Sequence, residues 1–286
     1  MPAATTHVEF AKDVRELLDE ETRKRISDDH MYLIGAQGPD LLFFSGMSVL
    51  PGTMAPIGGR MHDEKVADVM RYFDVHAAAD PALRSYFLGY LTHYALDSSA
   101  HPLICSLAHS ESMKTGRTES EIHFRIESVY DVYTLHRKGK RVSDYNVYED
   151  LKLNKEDTQK LAILYQGMLK GIFDIDLSVP KLMSGIHDVS VMTRLLKPSR
   201  AKYRFADYME SLLKQPKMIT ALMLDEHKDM RYLNEAHKLW SPVYQPDEVR
   251  NESFMDLYSS ALGKACRIMK SHDDSDFAVN FVGAPY

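Results

Sequence analysis

Residues Phe87 to Pro102, reading Phe-Leu-Gly-Tyr-Leu-Thr-His-Tyr-Ala-Leu-Asp-Ser-Ser-Ala-His-Pro, constrain this chain more than any other stretch. Apolar residues recur three and four apart (Phe87, Leu88, Leu91, Ala95, Leu96), and nothing before Pro102 forbids helical backbone, so the segment is predicted as one helix. On that helix His93, Asp97 and His101 are spaced by four and project from one face. Two imidazoles with a carboxylate between them form an edge that can ligate zinc, and the carboxylate can bridge two metals. The same spacing also suits a helix with two hydrogen-bonded histidines and a solvated aspartate.

A second segment, Glu119 to Lys138, has its apolar side in Ile122, Ile126, Val129, Tyr130 and Tyr133 and is again predicted helical. It carries His123 and Glu127 four apart, with Asp131 one turn further. Ligand pairs on two consecutive helices favour a metal centre over isolated histidines.

Further helices are expected from the pattern over Asp157–Asp174, Lys181–Leu196, Lys202–Lys214 and Asn251–Ser271, and no strand is expected. The fold class is therefore all-α. With 286 residues, 44% of them hydrophobic, and no repeat or long linker, residues 1–286 are expected to form a single helical domain. Residues 1–138 would be its metal-site half and 139–286 its helical completion.

A net charge of -6 gives no electrostatic footprint for stable nucleic-acid binding. Two cysteines, Cys105 and Cys266, are too few for a disulfide framework. No stretch has the length of a membrane span, and the start lacks the apolar core of an export signal, so a cytoplasmic location is expected.

Near the start, Phe10, Val14, Leu17 and Leu18 form a helical stripe, which puts His7 in a first turn that Thr5 or Thr6 could cap. The turn-forming run Gly35-Ala36-Gln37-Gly38-Pro39-Asp40 lies between the apolar anchors Met31, Tyr32, Leu33 and Leu41, Leu42, Phe43, Phe44. These anchors fix the place of Asp40, which also suits a cap or turn. A loop with Pro51, Gly52, Pro56, Gly58 and Gly59 ends at Met61-His62-Asp63, so His62 is expected at the entrance of a helix over Glu64–Ala79.

Beyond the ligand helices the signals are weaker. The basic run His136–Arg141 is expected to close a helix in solvent, Arg194 to Arg204 to form a second basic cluster, and Asp273–Tyr286 to be a loosely ordered tail. His187, His227, His237 and His272 have no partners at metal spacing.

Gly-Ala-Gln-Gly-Pro-Asp at 35–40, Met61-His62, the motif from Phe87 to Pro102 and His123-x-x-x-Glu127 together resemble the zinc-dependent phospholipase C family of bacteria. The resemblance covers residues 1 to about 135. It implies the all-helical fold and three-zinc site that this family shares with single-strand-specific zinc nucleases.

Carried over by position, the resemblance puts Asp40, His62, His93 and Asp97 around one zinc, and His101, His123 and Glu127 around another. Asp97 would bridge to a third zinc shared with His7. Secreted members complete the third site with an N-terminal tryptophan. Here the chain begins Met1-Pro2 and its one tryptophan is Trp240, so that site would draw on the terminus or on a side chain such as His30.

The implied activity is a metal-dependent phosphodiester hydrolase with two or three Zn2+, in which activated water attacks the phosphorus of a phospholipid or small phosphodiester. Asp40 would orient that water or take its proton, Asp97 would fix the metal pair, and Tyr94, Ser98, Ser99 and Asp131 are candidates to hold the imidazoles. Two alternatives differ in class. One is a nuclease-like or His-Asp-type metallo-phosphohydrolase, given His62-Asp63, His187-Asp188 and His272-Asp273; the other is a non-enzymatic metal-binding protein.

Overall fold

The computed structural model describes residues 4–43, 45, 54–226 and 229–286. The start Met1-Pro2, the anchor Phe44, the loop residues Pro51 and Gly52, and His227 lie outside the described residues. Among those described are thirteen α-helices and no strand. The first seven are α1 Ala4–Leu17, α2 Glu20–Lys24, α3 Asp29–Gly35, α4 Ala55–Asp63, α5 Val66–Ala77, α6 Pro81–Thr115 and α7 Glu119–Arg137. The remainder are α8 Val147–Leu151, α9 Lys155–Phe173, α10 Val179–Leu195, α11 Arg200–Leu212, α12 Met218–Leu222 and α13 Phe254–Lys270. None of them is long and apolar enough to cross a membrane.

The helix α6 is the axis of the fold. Asp80 caps it by accepting from Ala82 N and Leu83 N, Pro81 occupies its first turn, and Gly116 ends it at φ 70°. It runs straight through Pro102, well beyond the predicted stretch. Every residue from Ser85 to Ile104 except Ser99 is buried, which fits a helix apolar on nearly all sides and surrounded by others.

The closest neighbour of α6 is α3, and two glycines set the distance. A Cβ on Gly89 would sit 1.9 Å from Tyr32 O, and one on Gly35 would sit 2.0 Å from Tyr86 O. Only glycine lets the two backbones approach this far.

Polar side chains clamp α1 onto α7. Thr6 donates from N and Oγ to Asp131 Oδ1, both at 2.7 Å. Both threonines therefore lie inside α1 instead of capping it. The buried Glu9 collects Lys12, Lys138 and Lys140, with Lys140 Nζ at 2.7 Å from Oε2. Part of the basic run at 136–141 is thus an anchor and not a solvated helix end; His136 pairs with Glu226.

The tail also departs from expectation. Residues 273–286 form a 3-10 turn, Asp274–Phe277, and a bridge between Val279 and Pro285. Phe277 and Phe281 are buried in the main core. The tail is held because two aromatic rings bury apolar area that an unpacked segment would leave in water.

Candidate metal centre

The eight candidate side chains come from five pieces of backbone. His7 is in the first turns of α1, His93, Asp97 and His101 are on α6, and His123 and Glu127 are on α7. Asp40 lies in a 3-10 turn over Gly38–Leu42, which Pro39 helps start. Gly38 takes φ 52°, and a Cβ there would come within 2.3 Å of the His93 ring, so this glycine makes room for the imidazole. His62 lies in the last turn of α4, not at the entrance of the next helix, because the helical run already begins at Ala55 and α5 starts only at Val66.

The structure brings these residues together in three groups whose donor atoms lie within 4.8 Å of one another: His7, Asp40, His93; His62, His93, Asp97; and His101, His123, Glu127. All are buried except His123, which is half-buried. Asp97 is the hub. Its Oδ1 is 3.1 Å from His7 Nε2 and its Oδ2 is 2.9 Å from His93 Nε2 and 3.9 Å from His62 Nε2. His62 Nε2 is 3.1 Å from Asp40 Oδ1. Glu127 Oε1 lies 3.3 Å from Nε2 of both His101 and His123.

The other nitrogens of three rings are occupied. Nδ1 of His62, His93 and His101 meets Gly58 O at 2.8 Å, Ala36 O at 3.0 Å and Phe281 O at 3.0 Å. A carbonyl only accepts, so each Nδ1 carries a proton, and each Nε2 faces a carboxylate oxygen across a gap that either a proton or a metal ion on that nitrogen can bridge. With neither in place, acceptors would face acceptors at about 3 Å and repel. His93 Nε2 and His7 Nδ1 are buried without a hydrogen-bond partner among the described residues. Mixed imidazole and carboxylate donors, oriented through backbone carbonyls, are the set that binds zinc.

The electrostatics agree. Burial alone would push the Asp97 carboxyl up, yet His101, His93 and His7 hold it well below the usual carboxylate range. Glu127 is also held low against burial, in part by His123 and His101. Burial opposes charge on His101, and Asp97 and Glu127 overcome it, raising that imidazole to about 9. The site attracts positive charge into a place that water scarcely reaches.

Several expected helpers are engaged elsewhere. Tyr94 donates to Asp276 O and Val279 O, Ser98 and Ser99 donate to carbonyls on their own helix, and Asp131 serves Thr6. The ring-holding groups are instead the carbonyls of Ala36, Gly58 and Phe281. His30 turns its Nε2 to Lys152 O, and Trp240 packs with Leu103 and Leu257. Asp63 is exposed and belongs to none of the three groups, which removes the dipeptide His62-Asp63 as a ligand pair.

Phe281 is the residue that sequence reasoning missed. Its N–H donates to His62 O, its carbonyl takes His101 Nδ1–H, and its ring lies 5.1 Å from His62 and 5.6 Å from His93. The available signal was the apolar run Phe277-Ala278-Val279 and Phe281-Val282 in the tail.

Comparison with known proteins gives one result on the family. The zinc dependent phospholipase C family matches residues 6–178, a span that includes all eight candidate ligands. No curated protein and no solved structure matches. With well over half its length matched, and with its helices gathering the imidazoles and carboxylates described above, the chain belongs to the zinc-dependent phospholipase C family.

Proposed function

We propose that this chain is a zinc-dependent hydrolase that cleaves the phosphodiester of a phospholipid or a small phosphodiester, the reaction type of its family. The observation that carries the proposal is the orientation of three imidazoles by backbone carbonyls, so that their Nε2 atoms converge on Asp97, Asp40 and Glu127. A solvated or merely structural histidine has no need of that arrangement.

His101, His123 and Glu127 would hold one zinc. Asp40, His62, His93 and Asp97 would hold another, and Asp97 would reach a third through His7. His93 belongs to two of the three groups and offers one ligand atom, so the described residues supply two independent sites. A third ion on His7 and Asp97 needs another donor. Bound zinc would supply Lewis acidity: it neutralises the phosphodiester anion and makes water acidic near neutral pH.

The chain's own groups then position the reactants. Burial raises the Asp40 carboxyl, and the His62 and His93 imidazoles are among the charges that pull it down. An ionised carboxylate of that kind accepts a hydrogen bond from water and orients it. Asp97 fixes the spacing of the imidazoles on both sides of it. The rings of Phe43 and Phe281 pack on His62 and keep bulk water from that side.

The proposal also treats the chain as one helical domain, since α13 and the tail pack on α6. A cytoplasmic location is supported by the free Cys105 and Cys266.

The test is elemental analysis of the purified protein together with hydrolysis of a chromogenic phosphodiester and of phosphatidylcholine, before and after chelation. Two or three zinc ions per chain with chelator-sensitive turnover is the expected result. Absence of metal after reconstitution with zinc would refute the metal centre, and bound zinc without turnover of either substrate would refute the hydrolase.

A further inference from the structure

The helix α11 turns a mixed side inward, with Tyr203, Ala206, Asp207 and Met209 half-buried around Glu210. Glu210, its one buried residue, accepts from Ile219 N at 2.6 Å, Thr220 N at 3.2 Å and Thr220 Oγ at 2.7 Å. Asp207 pairs with Lys217 on the same side. The apolar stripe at i, i+3 and i+7 points away: Phe205, Tyr208 and Leu212 are 67%, 63% and 60% exposed. Leu213 and Leu195 are exposed as well. An amphipathic helix in a globular protein normally does the opposite and buries the apolar stripe.

Charge frames the stripe. Arg194, Lys197, Arg200 and Arg204 are exposed along the end of α10 and the start of α11, and none forms an ion pair among the described residues. This is a local cationic surface on a chain of net charge -6.

We infer that α11 and the adjoining end of α10 dock on an anionic phospholipid bilayer, with Phe205, Tyr208 and Leu212 entering the interface and the basic residues meeting headgroup phosphates. Aromatic and leucine side chains on one face, with arginine and lysine beside them, are the pattern of helices that lie in a membrane interface. Each basic residue near an anionic surface adds attraction, which a neutral bilayer lacks. A second copy of this chain fits less well, because a two-fold contact would set the basic rim against itself.

The segment joining the two helices leads toward the metal centre. Leu196, Lys197 and Pro198 line a cavity that Thr5 and Asp131 also line, next to the turn bearing His7. The inference deepens the proposed function by making a bilayer the form in which substrate is met. The docking surface itself depends on none of the metal ligands.

The experiment is co-sedimentation of the full chain with large vesicles of phosphatidylcholine, with and without phosphatidylglycerol, alongside turnover of the soluble chromogenic phosphodiester. Vesicles containing phosphatidylglycerol should bind the wild type. The triple variant Phe205→Ser, Tyr208→Ser, Leu212→Ser should lose about tenfold or more of that binding while keeping soluble turnover and its thermal midpoint. Arg200→Gln with Arg204→Gln should lose the preference for phosphatidylglycerol.

A wild type that ignores both vesicles overturns the inference, as does a triple variant that binds like wild type. A dimer in sedimentation equilibrium that the triple variant dissolves, without vesicle binding, assigns the face to self-association and also overturns it. Vesicle binding without soluble turnover would sink the hydrolase proposal and leave the docking surface standing.

Discussion

Gly89→Ala tests whether the metal centre depends on the close contact between α3 and α6. The added methyl would lie 1.9 Å from Tyr32 O and 2.9 Å from Ala36 N. Carbon and oxygen do not approach much closer than about 3 Å, so the helices must separate by about 1 Å. No side-chain rotamer can relieve a clash with backbone, which places the cost at the upper end of overpacking, about 3 kcal/mol. The same separation would stretch His93 Nδ1 to Ala36 O, now 3.0 Å, to about 4 Å and end that hydrogen bond. Losing such an orienting partner typically weakens metal binding by about 10–100-fold.

The assay is urea unfolding of both proteins, with zinc affinity measured by competition against a chromogenic chelator. Gly263→Ala is the control, since a Cβ there meets nothing within 4 Å and the position is inside α13. That change should stabilise by about 0.5–1 kcal/mol. A Gly89→Ala protein within about 0.5 kcal/mol of wild type and with unaltered zinc affinity would refute the reasoning.

Asp97→Asn should abolish formation of the metal pair and activity while leaving most helix content by far-UV circular dichroism; wild-type turnover in that variant would refute the hub role of Asp97. Phe281→Ala should destabilise by about 3–5 kcal/mol in urea and loosen zinc, and a loss below about 1 kcal/mol would mean the tail does not brace the site. Asp131 tests pH dependence: burial raises its carboxyl from 3.8 to about 7 despite the Thr6 hydrogen bonds. The folded protein therefore holds a proton that the unfolded chain releases, and this contribution to stability declines as pH rises from about 4 to about 7. Asp131→Asn keeps an acceptor for Thr6 and removes the decline, so its stability relative to wild type should increase over that range; parallel pH profiles would contradict this.

The parts of the site that lie on one helix were legible because helical geometry acts over four residues. His93, Asp97 and His101 share a face wherever the rest of the chain goes, and so do His123 and Glu127. His62 was harder to place. Pro56, Gly58 and Gly59 suggest a loop, yet Pro56 occupies a helix first turn, where its missing N–H costs nothing. The real break comes at Lys65, a left-handed residue at φ 58° that no glycine announces.

The orienting carbonyls of Ala36, Gly58 and Phe281 left no trace in residue identity, because every residue has a carbonyl. In α11 the apolar stripe could be read from spacing. Which side the protein would bury depended on Glu210 finding Thr220, a contact that sequence periodicity does not specify.

Phe281 gives the centre a place in time as well as in space. During synthesis at about 5–20 residues per second, Glu127 emerges on the order of ten seconds before Phe281 does. Through that interval His101 lacks the carbonyl that fixes its tautomer, and His62 lacks the ring that covers it. A zinc centre built on these residues would be held more weakly until residue 281 is in place. Metal loading would then be a late event in synthesis.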